Sequence, residues 1–279
     1  MVPACHPANR SGGHGAAAQC ASWTWFEQFM TTRRHLLSSV AGFCVYALLS
    51  ELRAATPSSI SSVSARRWID RQGELARGLA SGTVSQVQWH DAVNALASEI
   101  DLEALASEVR RAEIRIAGVP FGHDPQKRFV TFLDEQGEPM RVDYGVALFD
   151  FSPDSVITPH AHKNMASAHM VLEGRVRIRT FDRVKDEEGA LIVRPTTDEI
   201  ADPGRSSAMT SAKDNVHWFT PHAGRAMTLD VIIDGLEPGQ DRYVIQPLDP
   251  LGGTHLPDGT IRAPLLTFER SMEIYTSSM

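Results

Sequence analysis

Three histidines in the middle of the chain carry the first chemical signal. Thr158-Pro159-His160-Ala161-His162 sets two imidazoles two residues apart, and a third follows in Asn215-Val216-His217-Trp218-Phe219. Residues two apart on a strand project to one face, so His160 and His162 can present both rings to one ion, with His217 completing the set from another strand. Three neutral imidazoles with coordination positions left open suit Fe(II), and after it Zn, Ni, Cu or Mn. A lone histidine on a barrel wall is more simply a hydrogen-bonded structural side chain. The pair, followed by the turn at Leu172-Glu173-Gly174, is harder to explain that way.

Such a site needs strands to hold it. From about Arg128 the apolar period is two: Phe129, Thr131 and Leu133 alternate, and Val142, Tyr144, Val146 and Leu148 follow a turn-rich break. Short apolar runs then recur at Met170 to Leu172, Val176 to Phe181, Leu191 to Val193, Val216 to Phe219 and Met227 to Ile233. Short strands punctuated by Gly, Pro and Asp predict an all-β barrel or sandwich over residues 121–279. Residues 66–120 read as helical: Trp89, Val93, Leu96 and Ile100 recur at helical spacing, and Asp101 caps a second run through Leu102, Leu105 and Val109. This segment is expected to cap the main domain. Residues 56–65, rich in Ser, Ala and Thr, read as a linker.

The histidine segments resemble the two motifs of the cupin superfamily: H-x-H, an acidic ligand a few residues on, a strand ending in a glycine turn, and later a single histidine. The matched stretches are 145–184 and 214–233. The resemblance implies an all-β cupin double-stranded β-helix, a jelly-roll barrel, with an N-terminal helical cap. Counting seven residues back from Gly174, where the family usually has a glutamate ligand, reaches Ser167. A serine hydroxyl is a poor ligand for a first-row divalent metal, so the implied metal set is His160, His162 and His217 without a carboxylate.

That three-histidine set resembles the thiol dioxygenases, in particular the branch of cysteamine dioxygenase and the plant cysteine oxidases. The similar residues are His160-Ala161-His162-Lys163-Asn164-Met165, Thr180-Phe181-Asp182, Asp214-Asn215-Val216-His217 and Leu229-Asp230-Val231. The resemblance implies an Fe(II) enzyme that uses O2 to oxidise a small thiol to a sulfinate. Asp230 is then the expected base or orienting group. Tyr243 stands near the region where the family's Pro-Pro-Tyr is replaced by Asp234-Gly235-Leu236-Glu237, and can supply a phenol. Ser167 and His169, two apart, are expected to face the barrel interior as substrate contacts or supports of the ligands. A dioxygenase or isomerase of another substrate class, and a non-catalytic periplasmic metal- or ligand-binding cupin, remain alternatives at this point. Arg175, Arg177 and Arg179 alternate along one strand, and a solvated face explains them at least as well as a carboxylate clamp.

The leader differs from the rest. Arg33 and Arg34 precede an uncharged, largely apolar run from Leu36 to Ser50, the layout of a twin-arginine export signal over residues 30–55. Residues 1–29 are expected to be disordered, or a mis-assigned extension ahead of a start at Met30. The run is shorter than the roughly 20 residues that span a bilayer, so no stable membrane span is expected. The implied location is periplasmic or secreted, with an export receptor reading Arg33 and Arg34. Arg53 sits where a cleavage site wants a small residue, which leaves a membrane anchor open. Cys5, Cys20 and Cys44 all lie in this leader, so the remainder has no thiol for a disulfide or a metal. A net charge of -7 without a basic block argues against nucleic acid and leaves a small molecule and O2 as partners.

Overall fold

A computed structural model describes residues 63–276. The expected export signal, with Arg33 and Arg34, lies outside them. Three helices open the described chain rather than two. Ser64 caps α1 (Ala65–Ala80) by accepting the Arg67 N–H, Ser85 and Gln88 form a reciprocal capping box on α2 (Gln86–Glu99), and Asp101 caps α3 (Leu102–Arg111). Each cap is worth about 1 kcal/mol to its helix. Helix α1 escaped the periodicity reading because its buried stripe includes Gln72, Gly73 and Ala76, which give little hydrophobic signal between Trp68, Ile69 and Leu79. The expected linker therefore ends early: Val63 already bridges Ile100, and Ser64 is the cap.

The helical segment also ends sooner than residue 120, because β1 (Glu113–Ile116) joins a sheet. That sheet has six strands in the order β1, β2 (Gln126–Thr131), β3 (Gly145–Phe151), β10 (Ala226–Asp234), β5 (Met165–Glu173) and β8 (Ser206–Met209). A second has seven, in the order β11 (Val244–Pro247), β4 (Ile157–Lys163), β9 (Val216–Pro221), β6 (Val176–Glu187), β7 (Ala190–Ala201), β13 (Ile261–Pro264) and β12 (Thr254–His255). Neighbouring strands pair antiparallel throughout both sheets. From β3 to β11 the chain crosses between sheets at almost every step, with only β6 and β7 joined as a hairpin within one sheet. Repeated crossing of this kind winds the chain into a double-stranded β-helix, the jelly-roll barrel. A last helix, α4 (Phe268–Thr276), closes on β4 and β9 through Tyr275, whose ring meets Trp218 edge-on at 4.8 Å.

The two faces of the six-stranded sheet are both buried, for different reasons. Leu229, Val231 and Ile233 of β10, and Ala166, Ala168 and Met170 of β5, join the helices in one core with Trp68 and Trp89. The alternate residues Ser167, His169, Val171, Thr228, Asp230 and Ile232 turn inward to the barrel. Eight of the nine residues of β5 are buried, which is why its sequence shows an apolar run rather than an alternation. Phe151, Val171, Ile178, Met209 and Phe219 fill part of the interior as an apolar cluster, and the histidines sit against it.

Candidate metal centre

Strand register brings the three histidines together. His160 and His162 share a face of β4, and His217 of β9 lies directly opposite His160 in the antiparallel pairing. Directly opposed residues on one face have side chains about 5 Å apart, close enough to share an ion. The ring centroids stand 4.9 Å apart for His160 and His162, 4.2 Å for His160 and His217, and 4.8 Å for His162 and His217. One potential ligand atom from each lies within 4.8 Å of the others. A register irregularity between Ile157 and His160, around Pro159, re-aims the strand just ahead of the pair.

The electrostatics suit a cation that is not yet paid for by protons. Burial pushes the His160 imidazole down to about 4, against a smaller opposing effect of the Thr158 carbonyl. Burial, then repulsion from the other rings, holds His162 and His217 well below the ordinary histidine value. All three are therefore neutral at pH 7 and have lone pairs to give. His160 Nδ1 donates to the Thr158 carbonyl at 2.8 Å, which fixes the proton on that nitrogen and leaves Nε2 as the donor atom for a metal. The Nδ1 atoms of His162 and His217 are buried with no protein hydrogen-bond partner. A neutral three-nitrogen set of this kind fits a borderline divalent ion such as Fe(II) or Zn(II).

Ser167 and His169, two apart on β5, are both buried. The Ser167 hydroxyl is buried without a protein partner, and no carboxylate joins the histidine group among the described residues. His169 stands beside the cluster rather than in it: its ring is 5.8 Å from His217, its Nδ1 is 3.1 Å from the Thr228 hydroxyl, and its Nε2 is 3.5 Å from Asp230. Burial, and then the charge of Lys127, push His169 down to about 3. Asp230 thus bears on His169 and not on a ligand histidine. Burial raises its carboxyl above the usual range, and Lys127 opposes that shift. Tyr243 packs with Phe129 and Phe149 against Ala147, Met165 and Ile232, and burial raises its phenol to about 12. It reaches this place because Asn164, left-handed at φ 58°, binds the preceding loop through the Glu237 and Asp241 carbonyls.

Several contributors have only a faint signal in the sequence. The Asn215 amide donates to the His162 carbonyl at 2.8 Å and to the Thr210 carbonyl at 3.1 Å, tying the two ligand strands together. Asp214 accepts from the Thr180 and Thr196 hydroxyls and lies 2.9 Å from Nε2 of His90 on α2, which joins the helical cap to the loop ahead of His217. Lys127 enters the interior field from β2. It shares a face with Phe129, and a strand reading begun one residue later, at Arg128, misses it. The alternating arginines lie outside the barrel. Arg175 pairs with Asp202 and Arg177 with Asp198, while Arg179 covers the Trp218 ring at 3.7 Å.

Comparison with known proteins adds partial likenesses. No family model and no curated protein matches the chain. Among solved structures, a vicilin from Capsicum annuum is 14% identical over 48% of this chain and 34% of its own, with a TM-score of 0.33. KdgF from Halomonas sp. is 14% identical over 43% of this chain and 85% of its own, with a TM-score of 0.29. An 11S globulin from Wrightia tinctoria is 13% identical over 50% of this chain and 30% of its own, at 0.32. The chain spans about a third or less of the length of the vicilins it matches. The strand order itself defines the class: an all-β double-stranded β-helix barrel with a helical cap and an interior group of three histidines able to hold a metal ion.

Proposed function

We infer that this barrel is a non-haem Fe(II) dioxygenase that converts a small thiol to its sulfinate. The observation that carries the reading is the donor set: three neutral histidines, His162 and His217 buried and His160 half-buried, joined by no carboxylate among the described residues. When bound there, a ferrous ion would supply the redox chemistry that joins a thiolate to O2. The overall change balances without a further reductant: RS⁻ and O2 give RSO2⁻, with both oxygen atoms on sulfur.

The residues of the chain have separable tasks. His160, His162 and His217 would hold the ion, and the Thr158 carbonyl keeps the His160 ring in one tautomer. Asn215 holds the two ligand strands in register. Phe149 and Phe219 flank His169 at 5.0 and 4.9 Å and keep water away from that side of the centre. Asp230 and His169 form a buried pair suited to taking the proton that a thiol loses on binding. Export through Arg33 and Arg34 to the periplasm belongs to the same proposal. Among the described residues no helix is long and apolar enough to cross a membrane.

An oxygen electrode tests the reaction class. Iron-loaded protein is offered cysteine, cysteamine, 3-mercaptopropionate and a phenolic substrate in turn. Oxygen uptake with a thiol, matched by sulfinate, is the expected result. Uptake with the phenol alone would assign another reaction, and no uptake with any of them would leave a binding protein.

A further inference from the structure

Helix α2 spends part of its buried surface on polar groups. Trp89, Val93 and Leu96 give it an apolar face, yet His90 is only 4% exposed, and Asn94 stands one turn along from it. These side chains and Asp91 all reach one stretch of chain, the end of β8 and the connector that leads from it to β9. Asn94 Oδ1 accepts the Ala208 N–H at 3.1 Å, and Asp91 accepts from the Lys213 ammonium at 2.7 Å. His90 lies between two carboxylates, its Nδ1 3.0 Å from Asp91 and its Nε2 2.9 Å from Asp214. The last of these contacts falls just ahead of His217.

The connector is built to transmit such a contact. The Thr210 hydroxyl accepts the N–H groups of Ala212 and Lys213 at 3.2 and 3.1 Å and closes a tight turn. Asp214 then takes a left-handed backbone, φ 50°, a region that aspartate and asparagine enter more readily than other side chains. Its N–H donates to the Asp182 carboxylate at 2.8 Å, and its own carboxylate accepts from the Thr180 and Thr196 hydroxyls. Those three partners belong to β6 and β7, the barrel wall; His90 alone comes from the cap. The next residue, Asn215, is fully buried and ties the connector to the His162 carbonyl. Displacing the Asp214 carboxylate therefore re-aims the start of β9 and tugs on β4, so that two of the three imidazoles move together. A helix kept only to cover the sheet gains little from a buried imidazole set between carboxylates, since an apolar side chain of similar size usually serves stability as well.

We propose that His90 is a positioning residue of the metal centre: through Asp214 and Asn215, the helical cap sets the places of His217 and His162. This rests on the reading of the three histidines as a metal site. The coupling is reciprocal, as any linkage of two equilibria must be. Breaking the contact at His90 weakens the ion, and a bound ion holds α2 more firmly against the connector.

The test uses the full chain and metal alone. Zn(II) affinity is measured against a competing chelator, and the ligand-field absorption of Co(II) reports the geometry of the site. Losing a group that orients a metal-bound histidine costs about tenfold to a hundredfold in affinity. His90 acts at one remove, so His90→Leu should bind Zn(II) about tenfold more weakly and change the Co(II) spectrum. His90→Gln, whose amide can donate to Asp214 in place of Nε2, should recover most of the affinity. Leu96→Ala removes apolar packing from the same helix and touches none of these contacts. It should lower the Tm while leaving Zn(II) affinity within about twofold and the Co(II) spectrum unchanged. In the wild-type chain, Zn(II) should slow amide exchange in α2 severalfold more than in α3; this comparison needs no variant and decides the matter if His90→Leu does not fold. Unchanged affinity in His90→Leu, an equal loss in Leu96→Ala, or equal slowing of α2 and α3 overturns the positioning role and leaves the metal reading intact. A wild-type chain that binds neither metal overturns both.

Discussion

Lowering the pH of the metal-free protein should destabilise it through its interior histidines, which are built to stay neutral. In the unfolded chain a histidine takes its proton near pH 6.5, whereas His160 does so near 4 and His169 near 3 in the folded barrel. Below pH 6.5 the unfolded state thus binds protons that the folded state refuses, and stability falls as pH falls. The contribution is fully present above pH 6.5 and is lost toward the folded values. Each such histidine costs about 1.4 kcal/mol per pH unit near pH 5, while Asp230 and Asp124, whose carboxyls burial raises to about 7, act in the opposite sense over the same range, so a histidine's share is read by difference from its variant. The full contributions of His160 and His169 are of order 3 and 5 kcal/mol, comparable to the whole stability of many domains. Denaturant unfolding at pH 7.5, 6.5, 5.5 and 4.5 measures the slope. In His169→Gln, which keeps all three metal ligands, the slope should drop by about 1.4 kcal/mol per unit. An unchanged slope in His169→Gln would refute the picture of an interior histidine held neutral.

Other expectations follow from single contacts. Ser167→Ala should leave metal affinity within about threefold, since no bond to the ion is lost, while Ser167→Glu should hold metal as tightly or more tightly and lower thiol oxidation; equilibrium dialysis and oxygen uptake read both. Asn215→Ala removes the tie between β9 and the His162 carbonyl and should weaken metal binding about tenfold to a hundredfold, with all three ligands still present; unchanged affinity would remove Asn215 from the site. A reporter fused after Thr56 should be exported, and replacing both Arg33 and Arg34 by Lys should stop it; export that persists in the double variant points to another kind of signal or an anchor.

The strand-rich barrel and the three-histidine group were legible in the sequence; the pairing of distant strands and the shorter elements were not. The H-x-H spacing works because β4 is a strand and its period is two, and His217 could be placed because a strand-like apolar run surrounds it. Asp230 was expected as a base or orienting group, and its neighbour His169 could not be read from the sequence. Contact with His169 depends on the pairing of β10 with β5, Asp230 opposite His169, and register between distant strands is not written in local pattern. Lys127 went unnoticed for a related reason. A lysine at the start of a strand normally reads as solvent-facing, and only the closure of the barrel turns it toward Phe149. Helix α1 was hidden by the small and polar residues of its buried face. The short strands β1, β8 and β12 have two to four residues each, too few for any period to show.

Metal content tests the central claim most directly. The full chain, loaded anaerobically with Fe(II), desalted and analysed for metal, should retain one ion per chain. His160→Ala, His162→Ala and His217→Ala should each lose most of it while keeping the wild-type circular dichroism, because the ion adds to a barrel whose core lies elsewhere. Full iron occupancy in all three variants, or no bound metal in the wild-type chain, would contradict the account.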